Sequence, residues 1–204
     1  MIMKKQLLRS AIVGALAAMS MGGSTALAAD GTASLDLTVD ANITTGTCAA
    51  SVIENNNETN TIAFGSVYVS EVYRQTRSKA FAIRFSDCAG LQGKKALLKV
   101  APNNVACPGT SGTDGQYANA STATTKAKRA AVEVWTTDTP KGPGAVKLHC
   151  WSKPVQTIDL SGASTTTPVD YPMSALMVGE SGATPNDMTA GDFYSPTIFT
   201  ITYQ

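Results

Sequence analysis

The last residues of the chain alternate strictly: Phe199, Ile201 and Tyr203 are apolar, and Thr200, Thr202 and Gln204 between them are polar. A period of two marks a strand with one face buried and one in water. The chain ends with this strand, so it is expected to form a sheet edge. Long apolar edges are aggregation hazards unless a partner strand covers them, and that points to a chain built for assembly. A second alternation near the start sets Leu35, Leu37, Val39, Ala41 and Ile43 against Ser34, Asp36, Thr38, Asp40 and Asn42. Between the two, strands are expected at residues 61–69, 79–85, 96–100, 131–136, 146–151, 157–160 and 171–178, bounded by Gly, Pro, Asn and Ser clusters. No helical periodicity interrupts them, so the fold class is all-β, a sandwich of short strands. The stretch from Cys107 through Gly115 into the following Ala/Thr-rich residues reads as one long insert, exposed or mobile. No linker or repeat suggests a second domain.

The first 28 residues have a different pattern. A basic start (Lys4, Lys5, Arg9), an apolar middle at 11–21 and the small-residue ending Ala26-Leu27-Ala28 form the three parts of a secretory signal peptide. A transmembrane helix is the rival reading, but the apolar run is shorter than the roughly 20 residues needed to cross a bilayer. The chain is therefore expected to be exported.

Composition narrows the functional classes. Charged residues make up 15% of the chain and the net charge is +1, against about 25% charged in an ordinary domain. Nucleic acid is not an expected partner. The cationic run Lys126-Ala127-Lys128-Arg129 lies in a Ser/Thr/Ala-rich segment and reads as a solvated loop. Four cysteines in an exported chain argue for disulfides, with three pairings possible. The expected arrangement joins Cys48 to Cys88 and Cys107 to Cys150. Each bridge would close a loop of about 40 residues, contributing about 4 kcal/mol on the chain-entropy model. Zinc and other metals are not expected, because no two cysteines have Cys-x-x-Cys spacing and His149 is the one histidine. His149, beside Cys150 and Trp151, reads as a packed or surface residue rather than a general base. Asp87 and Asp114 are loop carboxylates without evident partners. No nucleophile elbow or phosphate-cradling glycine loop is present, so neither catalysis nor a cofactor is expected.

Several residues together carry a family resemblance. They are the alternating segment before Cys48, the Ser86-Asp87-Cys88 context of the second cysteine, a glycine fourteen residues from the end (Gly191) and the penultimate Tyr203. The mature chain resembles a pilin of the type 1 fimbrial family, assembled by the chaperone–usher pathway. Cys107 and Cys150 depart from the simplest members, and spore-coat-U-type pilins share a similar ending. The resemblance implies an incomplete immunoglobulin-like β-sandwich that lacks its final strand, with residues 1–28 as signal peptide, 29–47 as N-terminal donor-strand extension and 48–204 as the pilin domain. It further implies a periplasmic chaperone that lends a strand, an outer-membrane usher, and neighbouring pilin subunits whose extensions replace the chaperone's strand in a cell-surface fimbrium that supports adhesion.

On this reading the donor strand is 32–44, with Leu35, Leu37, Val39, Ala41 and Ile43 pointing to one side. Ala41 falls where related donor strands often carry glycine. Gly191, Phe199, Ile201, Tyr203 and Gln204 belong to the edge that chaperone or donor strand would bind. A tip or minor adhesin binding a host receptor is the alternative; such proteins usually carry a separate lectin domain ahead of the pilin domain. A secreted enzyme would need a polar constellation that the chain does not offer.

Cleavage is expected after Ala28, because Ala26 and Ala28 meet the small-residue requirement of the signal peptidase. N-terminal sequencing of surface material should read Ala29-Asp30-Gly31-Thr32. A start inside 35–43 would remove the donor segment and overturn that assignment.

Overall fold

The computed structural model of the protein describes residues 46–109 and 115–204. The signal segment, the donor residues Leu35, Leu37, Val39, Ala41 and Ile43, and Asp114 lie outside the described residues. In chain order the elements are β1 (Thr47–Glu54), β2 (Asn57–Glu58), α1 (Val69–Arg74), β3 (Ser78–Ala89), β4 (Lys95–Pro102), β5 (Tyr117–Ala118), β6 (Ala130–Trp135), β7 (Gln156–Asp159), β8 (Val169–Gly179) and β9 (Thr197–Tyr203). They form two antiparallel sheets, one ordered β2-β1-β3-β8-β6-β5 and the other β7-β4-β9. The core between the sheets is apolar, with Ile83, Phe85, Leu98, Val100, Leu148, Leu160 and Met173 almost wholly removed from water. Each large side chain so buried contributes roughly 1.5–3 kcal/mol. Among the described residues, no helix is long and apolar enough to cross a membrane.

The strands expected at 79–85, 96–100, 131–136, 157–160 and 171–178 are present as β3, β4, β6, β7 and β8. Two others are not strands. Over 61–68 the chain keeps its alternation, with Ile62, Phe64 and Val67 half-buried against the core, but it joins neither sheet. Gly65 at φ 66° breaks the extended run, and α1 then begins where the Glu71 carboxylate accepts the Tyr68 N–H at 2.8 Å. This helix was not expected from the pattern; its six residues are too few to display a helical period, and Gln75 in the left-handed region closes it. The segment 146–151 keeps one bridge to β6, Lys147 opposite Trp135. It then turns away because the Cys150 N–H is bonded to the Gly115 carbonyl and the Lys153 N–H to that of His149.

Cys48 is bonded to Cys88, and Cys107 to Cys150. The first bridge links the adjacent strands β1 and β3 at a bulge, where the register steps from Thr47 opposite Ala89 to Ala49 opposite Ser86. Asp87, expected in a loop, lies at this bulge inside β3 with φ 51°. The insert expected to be exposed is partly packed: Gly115, Gln116 and Tyr117 are buried, and Tyr117 joins the core as part of β5.

Tyr117 is 1% exposed, and its hydroxyl has no hydrogen-bond partner among the described residues. Burial without a partner pushes its pKa up and costs about 1–3 kcal/mol. Tyr117→Phe should therefore raise stability by about 1 kcal/mol in urea unfolding. A loss of similar size would mean that the hydroxyl is satisfied after all.

Candidate functional site: the β9 edge

β9 pairs with β4 on one side, and among the described residues its other side joins no strand. The register sets Tyr203 opposite Ala96, Ile201 opposite Leu98 and Phe199 opposite Val100. Along each of these rows burial changes abruptly. Ala96, Leu98 and Val100 are shut away at 0–1% exposure, whereas Phe199, Ile201 and Tyr203 are only half-buried. Among the described residues, the apolar face of the sheet therefore runs on past its last strand. Thr200, Thr202 and Gln204 point to water, as the alternation requires.

β9 is fixed from beneath. Phe199 meets Phe81 edge-on at 6.3 Å between ring centroids, and Tyr203 meets Phe85 likewise at 6.4 Å. Such pairs are worth about 0.5–1.5 kcal/mol each beyond the area they bury. The Tyr203 hydroxyl donates to the Cys48 carbonyl at 3.0 Å, joining β9 to the far sheet beside the first disulfide. Burial raises the Tyr203 pKa. Gln204 closes the end of the strand: its N–H donates to the Lys95 carbonyl, and its own carbonyl accepts from Gly93 and Lys95.

Gly191 lies outside β9, in the segment leading to it. Its φ of 151° and its surroundings both demand glycine, because a Cβ there would fall 1.8 Å from the Thr125 carbonyl oxygen. That contact belongs to a latch between the insert and the approach to β9. Asn119 donates to the carbonyls of Ala127 and Asp192 and accepts from the Tyr194 N–H. Ala120 donates to Tyr194, Asp192 to Thr125, and Ala127 to Asp192. Nothing in the pattern around Asn119 signals this role, since two of its partners, Asp192 and Tyr194, lie 73 and 75 positions away in the chain.

The other residues weighed as candidates sit apart from the β9 edge. The His149 ring packs on Gly115, where a Cβ would lie 2.7 Å from Nδ1. Burial and then the nearby Lys147 push its pKa down. Lys126 and Lys128 make isolated bridges to Asp192 and Thr189. Among the described residues, no three His, Cys, Asp or Glu side chains are grouped to hold a metal ion.

No family model matches the chain. It is 40% identical over 173 residues, 84% of its own length and 85% of the relative's, to YadL of Escherichia coli (strain K12), described as an uncharacterized fimbrial-like protein. The chain belongs to the fimbrial-like proteins. Among solved structures, that of the P pilus rod subunit PapA superposes with a TM-score of 0.51 at 16% identity, covering 77% of this chain and 99% of that one. The sandwich thus has the immunoglobulin-like fold of the pilins. The CupB6 tip adhesin from Pseudomonas aeruginosa aligns with a TM-score of 0.44 at 17% identity, over 61% of this chain and 30% of that one.

Gly191→Ala should cost more than about 2 kcal/mol, against about 1 kcal/mol for Gly182→Ala. Gly182 has φ 72° and nothing within 4 Å of its Cβ position, so that control carries backbone strain alone. Thermal unfolding of the two variants compares them directly, and equal costs would remove the role given to the Thr125 contact.

Proposed function

We propose that this chain is a structural fimbrial subunit that polymerises by donor-strand exchange. The observation that carries the reading is the burial step along the β4–β9 rows: an apolar face that continues beyond its last strand calls for one more strand. Residues 32–44 suit that place. Leu35, Leu37, Val39 and Ile43 would lie over the open side of Phe199, Ile201 and Tyr203, with the smaller Ala41 in the same row. Four large anchors at roughly 1.5–3 kcal/mol each, together with a main-chain ladder, make a durable joint.

In export, a periplasmic chaperone would lend the strand first and an outer-membrane usher would manage its replacement by a neighbouring subunit's extension, so that the product is a cell-surface fimbrium. A chain with both an extension to give and an edge to receive one suits a shaft position. The family resemblance and the matching row on the donor segment support this assignment.

The test places an unpaired charge in the joint. Leu37→Asp should leave the subunit folded and able to bind chaperone through β9, yet unable to enter a growing fibre, because an uncompensated buried carboxylate is too costly to seat. The readout is the heat-resistant ladder from sheared cells on denaturing gels. Leu37→Asp fibres of normal length and heat resistance would refute the donor assignment.

A further inference from the structure

Main-chain groups along a strand point alternately to its two sides, so the residues that bond to β4 also show which ones face away from it. Gln204 and Lys95 exchange both of their bonds, and the antiparallel register then turns Thr202, Thr200 and Ile198 toward β4 as well. The last rung is the Asn103 N–H, which donates to the Pro196 carbonyl. β4 is finished at this point, and Pro196 has no N–H to offer. Even-numbered residues are nevertheless bonded further upstream. The Ala120 N–H donates to the Tyr194 carbonyl, the Ala127 N–H to that of Asp192, and the Asp192 N–H to Thr125. The insert takes over the ladder where β4 leaves off.

The Asn119 carboxamide stands at this junction. Its Nδ2 donates to the Asp192 carbonyl at 2.8 Å and its Oδ1 accepts the Tyr194 N–H at 3.1 Å, the pair of bonds that the peptide of a neighbouring strand would make. Its remaining capacity ties the insert to itself, Nδ2 donating to the Ala127 carbonyl and Oδ1 accepting the Ser121 N–H. Both donors and both acceptors are thus used. From Asp192 to Gln204 no residue has a positive φ. Phe193, Ser195 and Thr197 are half-buried in the same alternation as Phe199, Ile201 and Tyr203, and Phe193 packs against the core. The half-buried row therefore begins four residues before β9.

We propose that Asn119 is a positioning residue for strand acceptance: standing in for a strand neighbour, it holds residues 192–196 in line with β9 and carries the receiving edge back to Phe193. This role rests on the donor-strand exchange described under Proposed function. The length of the donor supplies the reason. Its five anchors, Leu35 to Ile43, alternate over nine residues and span about 27 Å when extended. β9 runs from Thr197 to Tyr203, which is about 20 Å, and offers the four odd-numbered rows 197, 199, 201 and 203. It is one row short. Ser195 and Phe193 continue the row, in line with β9 while the insert holds them there. Removing the carboxamide unties residues 119–121 from Ala127 and Asp192 and leaves the Tyr194 N–H unbonded. β9 itself stays fixed by β4 and by its two aromatic contacts, so the loss falls on the end anchor and spares the others.

The test uses the full-length subunit carried by its chaperone and a synthetic peptide of residues 29–45, whose capture displaces the chaperone. On the wild-type subunit, Leu35→Ser or Ile43→Ser in the peptide should each weaken capture about tenfold or more, the worth of one buried aliphatic anchor. On Asn119→Ala, one of the two substitutions should lose its effect because its row has gone, while the other keeps it. A subunit that is merely destabilised would weaken every peptide alike. If both substitutions cost as much on Asn119→Ala as on the wild type, the positioning role is overturned and donor-strand exchange stands. If the wild-type subunit does not take the unaltered peptide, or neither substitution matters there, the exchange fails and this role fails with it. Where Asn119→Ala is not recovered folded, hydrogen exchange on the wild type decides. The Phe193 and Ser195 amides should slow on peptide capture together with those of Phe199, Ile201 and Tyr203, and no change at Phe193 and Ser195 overturns the proposal.

Discussion

Two edge-to-face contacts across the sandwich, Phe81 with Phe199 and Phe85 with Tyr203, do for β9 what a second hydrogen-bonded neighbour does for an interior strand. A strand with one ladder can peel or slip, and a slip of one residue would turn its apolar row to water. Spacing the two rings four residues apart on each strand fixes both position and register. The Tyr203 hydroxyl adds a polar check, because Cys48 accepts it in one register alone. With one ladder among the described residues, the strand is thus secured from below.

The disulfides stand at the two ends of this arrangement. Cys48–Cys88 ties β1 to β3 at a bulge, and the carbonyl of Cys48 is the acceptor that Tyr203 reaches. Cys107–Cys150 joins the segment leaving β4 to the one approaching β7. The insert that follows Cys107 returns through Gly115 and Tyr117 to the core, and Asn119 then grips the chain between Asp192 and Tyr194 just before β9. Constraints spread over a hundred residues of chain thus converge on both ends of one seven-residue strand.

Much of this was legible in the sequence wherever burial on one face writes a period of two. β3, β4 and β9 each alternate in burial over several positions and were read correctly; β8, which buries Met173 to Val178 in succession, was read from its apolar run between turn signals. β1 went unassigned because Cys48 and Ile53 are its two buried residues and a bulge separates its registers. The run 61–68 has the alternation of a strand without a ladder, and a pattern of side chains cannot report backbone pairing. Gly191 stood out as a glycine at a telling distance from the end, but its reason lies in Thr125, 66 positions earlier, at a contact that exists only once the insert has folded over it. The latch residue Asn119 left no signal at all, since one asparagine in a Ser/Ala/Thr segment looks like any loop residue.

A sheet edge and a sheet face invite different partners, and β9 offers them different chemistry. Its outward face carries Ile198, Thr200 and Thr202, with Lys95, Leu97 and Lys99 alongside on β4. Hydrated hydroxyls and ammonium groups there disfavour stacking of one sheet on another. The inner row and the unpaired main chain meet along a single line, so apolar burial and hydrogen bonding can both be satisfied by an extended strand laid along the edge, and by little else. Among the described residues this edge of β9 joins no strand, and a low-charge chain with an apolar edge left uncovered would ordinarily aggregate. On the proposed donor-strand reading, confining the exposed apolar row to one line turns a general hazard into a directional preference for one more strand.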